Sequence, residues 1–256
     1  MRKLILGIIV VLAVGVLQSS AAASTADEQK RTVITPSMTV AELETQGDAL
    51  RTAKDYEGAI QFFQAALRKD RKNAVLYNKL GLAELQTGDT GAARSHFDKA
   101  AKLNPKYAEA INNVGAADYL QKNYGRAARY FKKALALHED SASYHANLGA
   151  AWFAQNKLDR AIAEYTRAVE LDPDVFRKQS KAGISAQIAS PEERARYQFM
   201  LAKIYAHRGD MDRCLECLKK AKEEGYRNLG NVYKDKEFAG LWQDVRLGAI
   251  IPAPAK

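Results

Sequence analysis

The chain has 256 residues, 47% of them apolar and 27% charged, with 16 glycines and 6 prolines. That balance excludes a disordered or collagen-like chain and a large multidomain machine, and it leaves room for one domain or a short array of repeats. The net charge of +9 is uneven: Arg2 and Lys3 open the chain, residues 24–175 hold 21 basic and 20 acidic side chains, and residues 176–256 hold 16 and 10, so the positive character belongs to the last third.

Arg2 and Lys3 precede an uncharged apolar run, Leu4 to Leu17, and then Gln18 to Ser24, in which Ala21 and Ala23 are small. This is the order of a secretory signal peptide, residues 1–23, with cleavage expected after Ala23. The run is shorter than the roughly 20 residues that span a bilayer, although with Ala21 to Ala23 it nearly reaches that length, and an uncleaved membrane anchor is the alternative. Either way the remainder is expected to be exported, to the periplasm or beyond. Residues 24–39 read as a flexible spacer containing Pro36, and Thr39 with Glu42 three residues on reads as a capping box that opens the first helix.

From there one spacing dominates. Gly47, Gly81, Gly115 and Gly149 are 34 residues apart, as are Ala59, Ala93, Ala127 and Ala161. The aromatics Phe63, Phe97, Phe131 and Tyr165, and a second alanine series at 66, 100, 134 and 168, keep the same step. Each unit reads as two amphipathic helices joined by a turn such as Thr87-Gly88-Asp89 or Gln155-Asn156-Lys157. Glycine at position 8 and alanine at position 20 let the two helices approach, the aromatic at position 24 fills the space beside them, and alanine at position 27 admits the next unit. Pro105 and Pro173 end second helices. Such a unit cannot bury its apolar face alone, so the units must stack.

The period and these residue classes resemble the tetratricopeptide-repeat family over residues 40–175, in units 40–73, 74–107, 108–141 and 142–175. The resemblance implies an all-α, right-handed superhelical solenoid, with proteins or peptides as partners. After Val175 the phase breaks. Residues 176–194 read as a basic insertion, and a degenerate fifth unit runs from Ala195, with Cys214, Leu218 and Ala221 at positions 20, 24 and 27; Pro191 followed by Glu192 and Glu193 suits the start of its first helix. Tyr233, Phe238, Leu241, Trp242, Val245 and Leu247 are expected to close the open end within a cap that reaches residue 251, ahead of a tail, 252–256. That cap is similar to the segment that ends many bacterial members of the family.

No glycine-rich phosphate loop, His-Glu-x-x-His or Gly-x-Ser-x-Gly motif occurs. His96, His138, His145 and His207 fall at four different repeat positions, so no catalytic, metal or cofactor site is expected. Cys214 and Cys217 allow a thiol-exchange or metal reading, but Cys214 stands where four units have alanine, and packing accounts for it.

In a solenoid of helical hairpins the first helices line the concave face, and positions 2, 5, 9 and 12 form one stripe. Across units two to four these positions and their neighbours supply Asn78, Leu82, Leu85, Asn112, Asn113, Tyr119, Asn147 and Phe153, an apolar floor beside amides. Asn113 and Asn147, one repeat apart, could hold a peptide backbone, since an amide both donates and accepts. This resembles a two-rung form of the asparagine ladder of some family members, although asparagine is also frequent there without a peptide. The lysine and asparagine clamp of chaperone-tail receptors is absent. The expected function is a non-catalytic envelope scaffold that binds a peptide or protein in this groove. Nucleic acid is not an expected partner, and homo-oligomers remain open. The alternative is attachment to a membrane or polyanion through the basic last third, beginning at Arg177, Lys178 and Lys181.

Overall fold

The structure, a computed structural model, describes residues 33–176 and 190–253. Eight helices form four hairpins: α1 Val40–Thr52 with α2 Tyr56–Lys69, α3 Ala74–Thr87 with α4 Thr90–Leu103, α5 Ala108–Leu120 with α6 Tyr124–Leu135, and α7 Ala142–Ala154 with α8 Leu158–Leu171. A fifth hairpin, α9 Pro191–His207 and α10 Met211–Glu223, follows, and the chain ends in two 3-10 turns and α11, Val245–Ile250. Each helix packs against its hairpin partner, and each second helix packs against the next first helix, so the hairpins stack into an all-α solenoid. Among the described residues no helix is long and apolar enough to cross a membrane.

Capping sets the helix starts. Thr39 and Glu42 form the reciprocal box, Thr39 N–H donating to Glu42 Oε2 at 2.7 Å and Glu42 N–H to Thr39 Oγ1 at 3.2 Å. Asp55, Asn73 and Asp89 accept from the third residue on, each satisfying an amide that the first turn leaves unpaired. The turn between first and second helices uses one residue in the left-handed region in every unit: Lys54 (φ 65), Gly88 (φ 88), Lys122 (φ 62), Asn156 (φ 59) and Gly209 (φ 75). All five occupy position 15, with the fifth unit counted from Ala195. Only glycine adopts this conformation without strain.

The repeat glycines have a steric cause. A Cβ built on Gly47, Gly81, Gly115 or Gly149 would lie 2.5, 2.7, 2.7 or 2.6 Å from the ring of Phe63, Phe97, Phe131 or Tyr165. The ring at position 24 therefore rests on the bare backbone at position 8. These rings and both alanine series are fully or almost fully buried and form the spine of the core.

The fifth hairpin departs from this pattern. Ser190 and Glu193 form a second capping box with Pro191 in the first turn, so α9 starts at Pro191, four residues before the boundary that the repeat phase gives. Ala202 and Leu218 replace glycine and aromatic at positions 8 and 24, and both are buried. Beyond α10, Val232, Phe238, Leu241 and Leu247 close the end of the core, whereas Trp242 and Val245 stay exposed, at 41% and 87%. Trp242 donates its indole N–H to Val232 O at 2.9 Å, which holds the ring at the surface. Val245 opens the six-residue α11 and faces outward.

Candidate first-helix groove

The face made by the first helices changes character along the stack. At its start Lys79 (position 6, α3) donates to Glu44 Oε1 and Asp48 Oδ2 of α1, both at 2.5 Å. Burial would lower the pKa of this ammonium, but its hydrogen bonds to the two carboxylates outweigh that and raise it. The charges here are matched within the chain.

In the middle lie the asparagines. Asn147 Nδ2 donates to Asn112 Oδ1 at 3.0 Å, Asn112 Nδ2 to Asn113 Oδ1 at 3.4 Å, and Asn113 Nδ2 to Asn78 Oδ1 at 2.9 Å. Asn78 in turn donates to Tyr107 Oη at 3.1 Å and Glu109 Oε1 at 3.0 Å. All four amides are buried, so one connected network ties α3, α5 and α7 together. Position 6 of one unit meets position 5 of the unit before, 35 residues away. Asn113 and Asn147, amides that by sequence could hold a peptide backbone, each donate to an amide of the preceding unit. Burial, with Glu109 nearby, raises the pKa of the Tyr107 phenol, and burial likewise raises Tyr144. Leu82, Leu85 and Ala116 stay half-buried, while Tyr119 and Phe153 are buried.

Asp118 of α5 is fully buried, and its Oδ1 accepts from Arg94 Nε of α4 and Arg126 Nη2 of α6, both at 2.7 Å. The hydrogen bond that Arg94 donates to Asp118 raises the pKa of Arg94 against burial. His96 pairs with Glu84 and His145 with Glu164, each at 2.7 Å. No group of His, Cys, Asp and Glu among the described residues is placed to hold a metal. Cys214 and Cys217 are buried, and burial pushes both thiols up to about 12, which leaves them protonated near neutral pH.

At the junction of the fourth and fifth units the face opens into a hollow of about 190 Å³. Here α9 packs less closely on α8 than the other first helices pack on the second helix before them, and the space left is lined by Phe153, Ile162, Phe199, Met200 and Tyr226, with Arg196 and Lys203 at its rim. Arg196, Phe199, Met200 and Lys203 are positions 2, 5, 6 and 9 of the fifth unit. Carrying the groove stripe one unit further along the sequence would have found them. Phe199 stacks on Tyr226 at 4.4 Å, and Phe153 meets Tyr197 edge-on at 5.9 Å.

Arg177, Lys178 and Lys181 lie outside the described residues, as does the leader. In the described part of the basic last third, Arg194, Lys203, Arg213 and Arg246 are each paired with carboxylates.

No curated protein matches the chain. Solved structures do. A crystal structure of MamA is 24% identical with a TM-score of 0.51, covering 70% of this chain and 93% of its own. MamA from Desulfovibrio magneticus RS-1 is 21% identical, TM-score 0.53, over 74% and 96%. YrrB, described as a TPR protein with an unusual peptide-binding site, is 18% identical, TM-score 0.50, over 84% and 98%. At these identities the likeness is one of fold. Models of the tetratricopeptide repeat match residues 47–88, 78–134, 116–175 and 195–224, more than half of the sequence. Together with the five stacked hairpins, this places the chain in the tetratricopeptide-repeat family.

Proposed function

We propose that this protein is a non-catalytic interaction scaffold that holds a peptide, or an extended segment of a partner protein, along its first-helix groove, and that it works in the cell envelope. The observation that carries the reading is the unfinished apolar stripe of Leu82, Leu85 and Ala116, half-buried after the stack is complete and flanked by the asparagine network. A tetratricopeptide fold is typically a scaffold for protein contacts, and YrrB, of the same fold, has a peptide-binding site. The network gives the groove a rigid floor, and rigidity lowers the ordering cost of binding. The envelope assignment rests on the charged, apolar and small-residue order of residues 1–23.

The test is selection from a peptide-display library with the mature chain, followed by binding to a Leu82→Arg, Ala116→Arg variant that fills the groove and leaves every asparagine in place. Loss of the selected peptides with helicity unchanged is the expected result. Equal binding by the variant would remove the groove from consideration.

A further inference from the structure

The hollow between the fourth and fifth units has a shape and a charge that the rest of the groove lacks. Its volume of about 190 Å³ falls below the roughly 300–1,000 Å³ of small-molecule sites and suits one large side chain. The walls are aromatic and aliphatic: the Phe199 and Tyr226 stack, the Phe153 ring, Met200 and Ile162. Rigid aromatic walls give a desolvated anchor point, and the unbranched Met200 adapts to the shape of an incoming group.

The rim is electrostatically lopsided. Lys203 is bound by Asp235 at 2.9 Å and Glu237 at 3.1 Å, so two carboxylates already surround it. Arg196 lies 5.7 Å from the centre of the Phe153 ring, and its Nη2 donates to the amide oxygen of Asn156 at 2.5 Å. No carboxylate of the described residues pairs with it. Lys79, the cation at the other end of the face, has two. A guanidinium on an aromatic ring keeps further N–H groups for a planar, two-oxygen partner. Asp235 and Glu237 repel a carboxylate on the Lys203 side, so an acidic group is directed to the Arg196 side.

We propose that this hollow is the selective subsite of the groove: it takes one large apolar side chain of a bound peptide, while Arg196 pairs with the side-chain carboxylate of an Asp or Glu adjacent in the peptide. The inference rests on the groove reading and names its ligand class, an internal acidic-apolar segment of another protein.

The probe is a fluorescein-labelled peptide of glycine and serine with a central Asp-Phe pair, titrated by anisotropy against the full mature chain. Two companions carry Asp-Ala and Asn-Phe. The Asp-Phe peptide is expected to bind saturably below about 1 mM, and each companion to bind at least about tenfold more weakly. R196Q, at a half-buried rim position, is expected to bind Asp-Phe and Asn-Phe equally. I162D, which sets a carboxylate in the wall at a half-buried position, is expected to lose Asp-Phe binding. Both variants are checked by circular dichroism and melting.

No saturation by about 1 mM, equal binding of the Asp-Phe and Asn-Phe peptides by the parent, or retained discrimination by R196Q overturns the proposal. Display-selected peptides that lose affinity for the Leu82→Arg, Ala116→Arg variant but not for R196Q or I162D would sink the subsite and leave the groove. Selected peptides indifferent to all three would sink both. Concentration-dependent self-association in sedimentation, abolished by I162D, would make a second copy the occupant and overturn the peptide.

Discussion

The four regular units and the fifth solve the same packing problem with different residues. In units one to four a glycine at position 8 lies under an aromatic ring at position 24, with no space for a Cβ. In the fifth, Ala202 and Leu218 occupy those positions, both fully buried: the methyl is admitted because the ring is gone. What the fold fixes is the combined volume of the pair. Polar groups differ in the same way. Along the regular stack they are bonded to one another across units, through Lys79, the asparagines and Asp118. At the fifth unit Arg194, Lys203 and Arg213 are paired with carboxylates as well, but a hollow remains beside them, and Arg196 at its rim bonds to the Asn156 amide and to no carboxylate of the described residues. In the regular region side chains bind unit to unit, and at the irregular junction a hollow and the Arg196 guanidinium form the proposed subsite.

The largest effect expected on this contrast comes from the buried charge. Asp118→Ala removes the carboxylate that joins α4, α5 and α6 and leaves two guanidinium groups without it, a loss of about 3 kcal/mol. The exposed pair of Lys220 and Glu216 in the fifth unit supplies the counterpart, and Glu216→Ala should cost about 0.5 kcal/mol or less. Urea titration of both variants measures the difference. Similar costs would mean that the two regions are held by the same kind of interaction.

Next in size is the exchange of one region's pair for the other's. In Gly115→Ala the new methyl meets Phe131 at 2.7 Å and the Ala127 carbonyl at 3.2 Å. Overpacking costs of up to about 3 kcal/mol exceed the gain of about 1 kcal/mol for alanine in a helix, a net loss of about 2 kcal/mol. Phe131→Leu alone loses about 1 kcal/mol. The double variant recreates the fifth unit's Ala–Leu pair and is expected to lose less than the sum by at least about 1 kcal/mol. Simple additivity would refute the account of volume exchange. Gly230→Ala, whose Cβ meets nothing within 4 Å, is the neutral control.

The period of 34 was legible because Gly47 to Gly149, the two alanine series and the rings make contacts that tolerate few residue types. The fifth unit was legible through Cys214 and Ala221 at the small positions. The left-handed turn residue showed itself only at Gly88, Asn156 and Gly209; Lys54 and Lys122 take the same conformation at a cost, and nothing in a lysine announces it. The site was read less well. Counting asparagines at position 6 alone hid their bonds to position 5 of the preceding unit, although adjacent Asn112 and Asn113 carried the signal. Stopping the stripe at the fourth unit missed Arg196 and Phe199. Trp242 and Val245 were assigned to the core from apolarity, which does not say which way a short terminal turn faces.

A third expectation separates the regions by pH. Cys214 takes the position that alanine fills in the other units, and burial raises both thiols to about 12. A raised pKa in the folded state means that this contribution is complete below the unfolded thiol value near 9 and is lost as pH climbs toward 12. At pH 10 the loss is about 1 kcal/mol per thiol, and Cys214→Ala should flatten the profile between pH 8 and 10. Iodoacetamide at pH 8 should react with the denatured chain and spare the folded one. Rapid labelling of the folded chain would show that the fifth hairpin opens independently of the stack.

The smallest effect lies in the turns. Lys122 holds φ 62 and Gly209, its counterpart at position 15 of the fifth unit, φ 75. A left-handed conformation costs a side-chain-bearing residue roughly 1–2 kcal/mol, and glycine gives back part of that advantage through its larger unfolded-state entropy. Lys122→Gly is therefore expected to stabilise the chain by about 0.5 kcal/mol, and Gly209→Lys to destabilise it by about 1 kcal/mol. Melting temperatures moving in these opposite directions would show that the five turns are one device. A loss of stability in Lys122→Gly would mean that the Lys122 side chain, which lines the open basic hollow beside Arg126 and Arg129, holds its turn by contacts that glycine cannot replace.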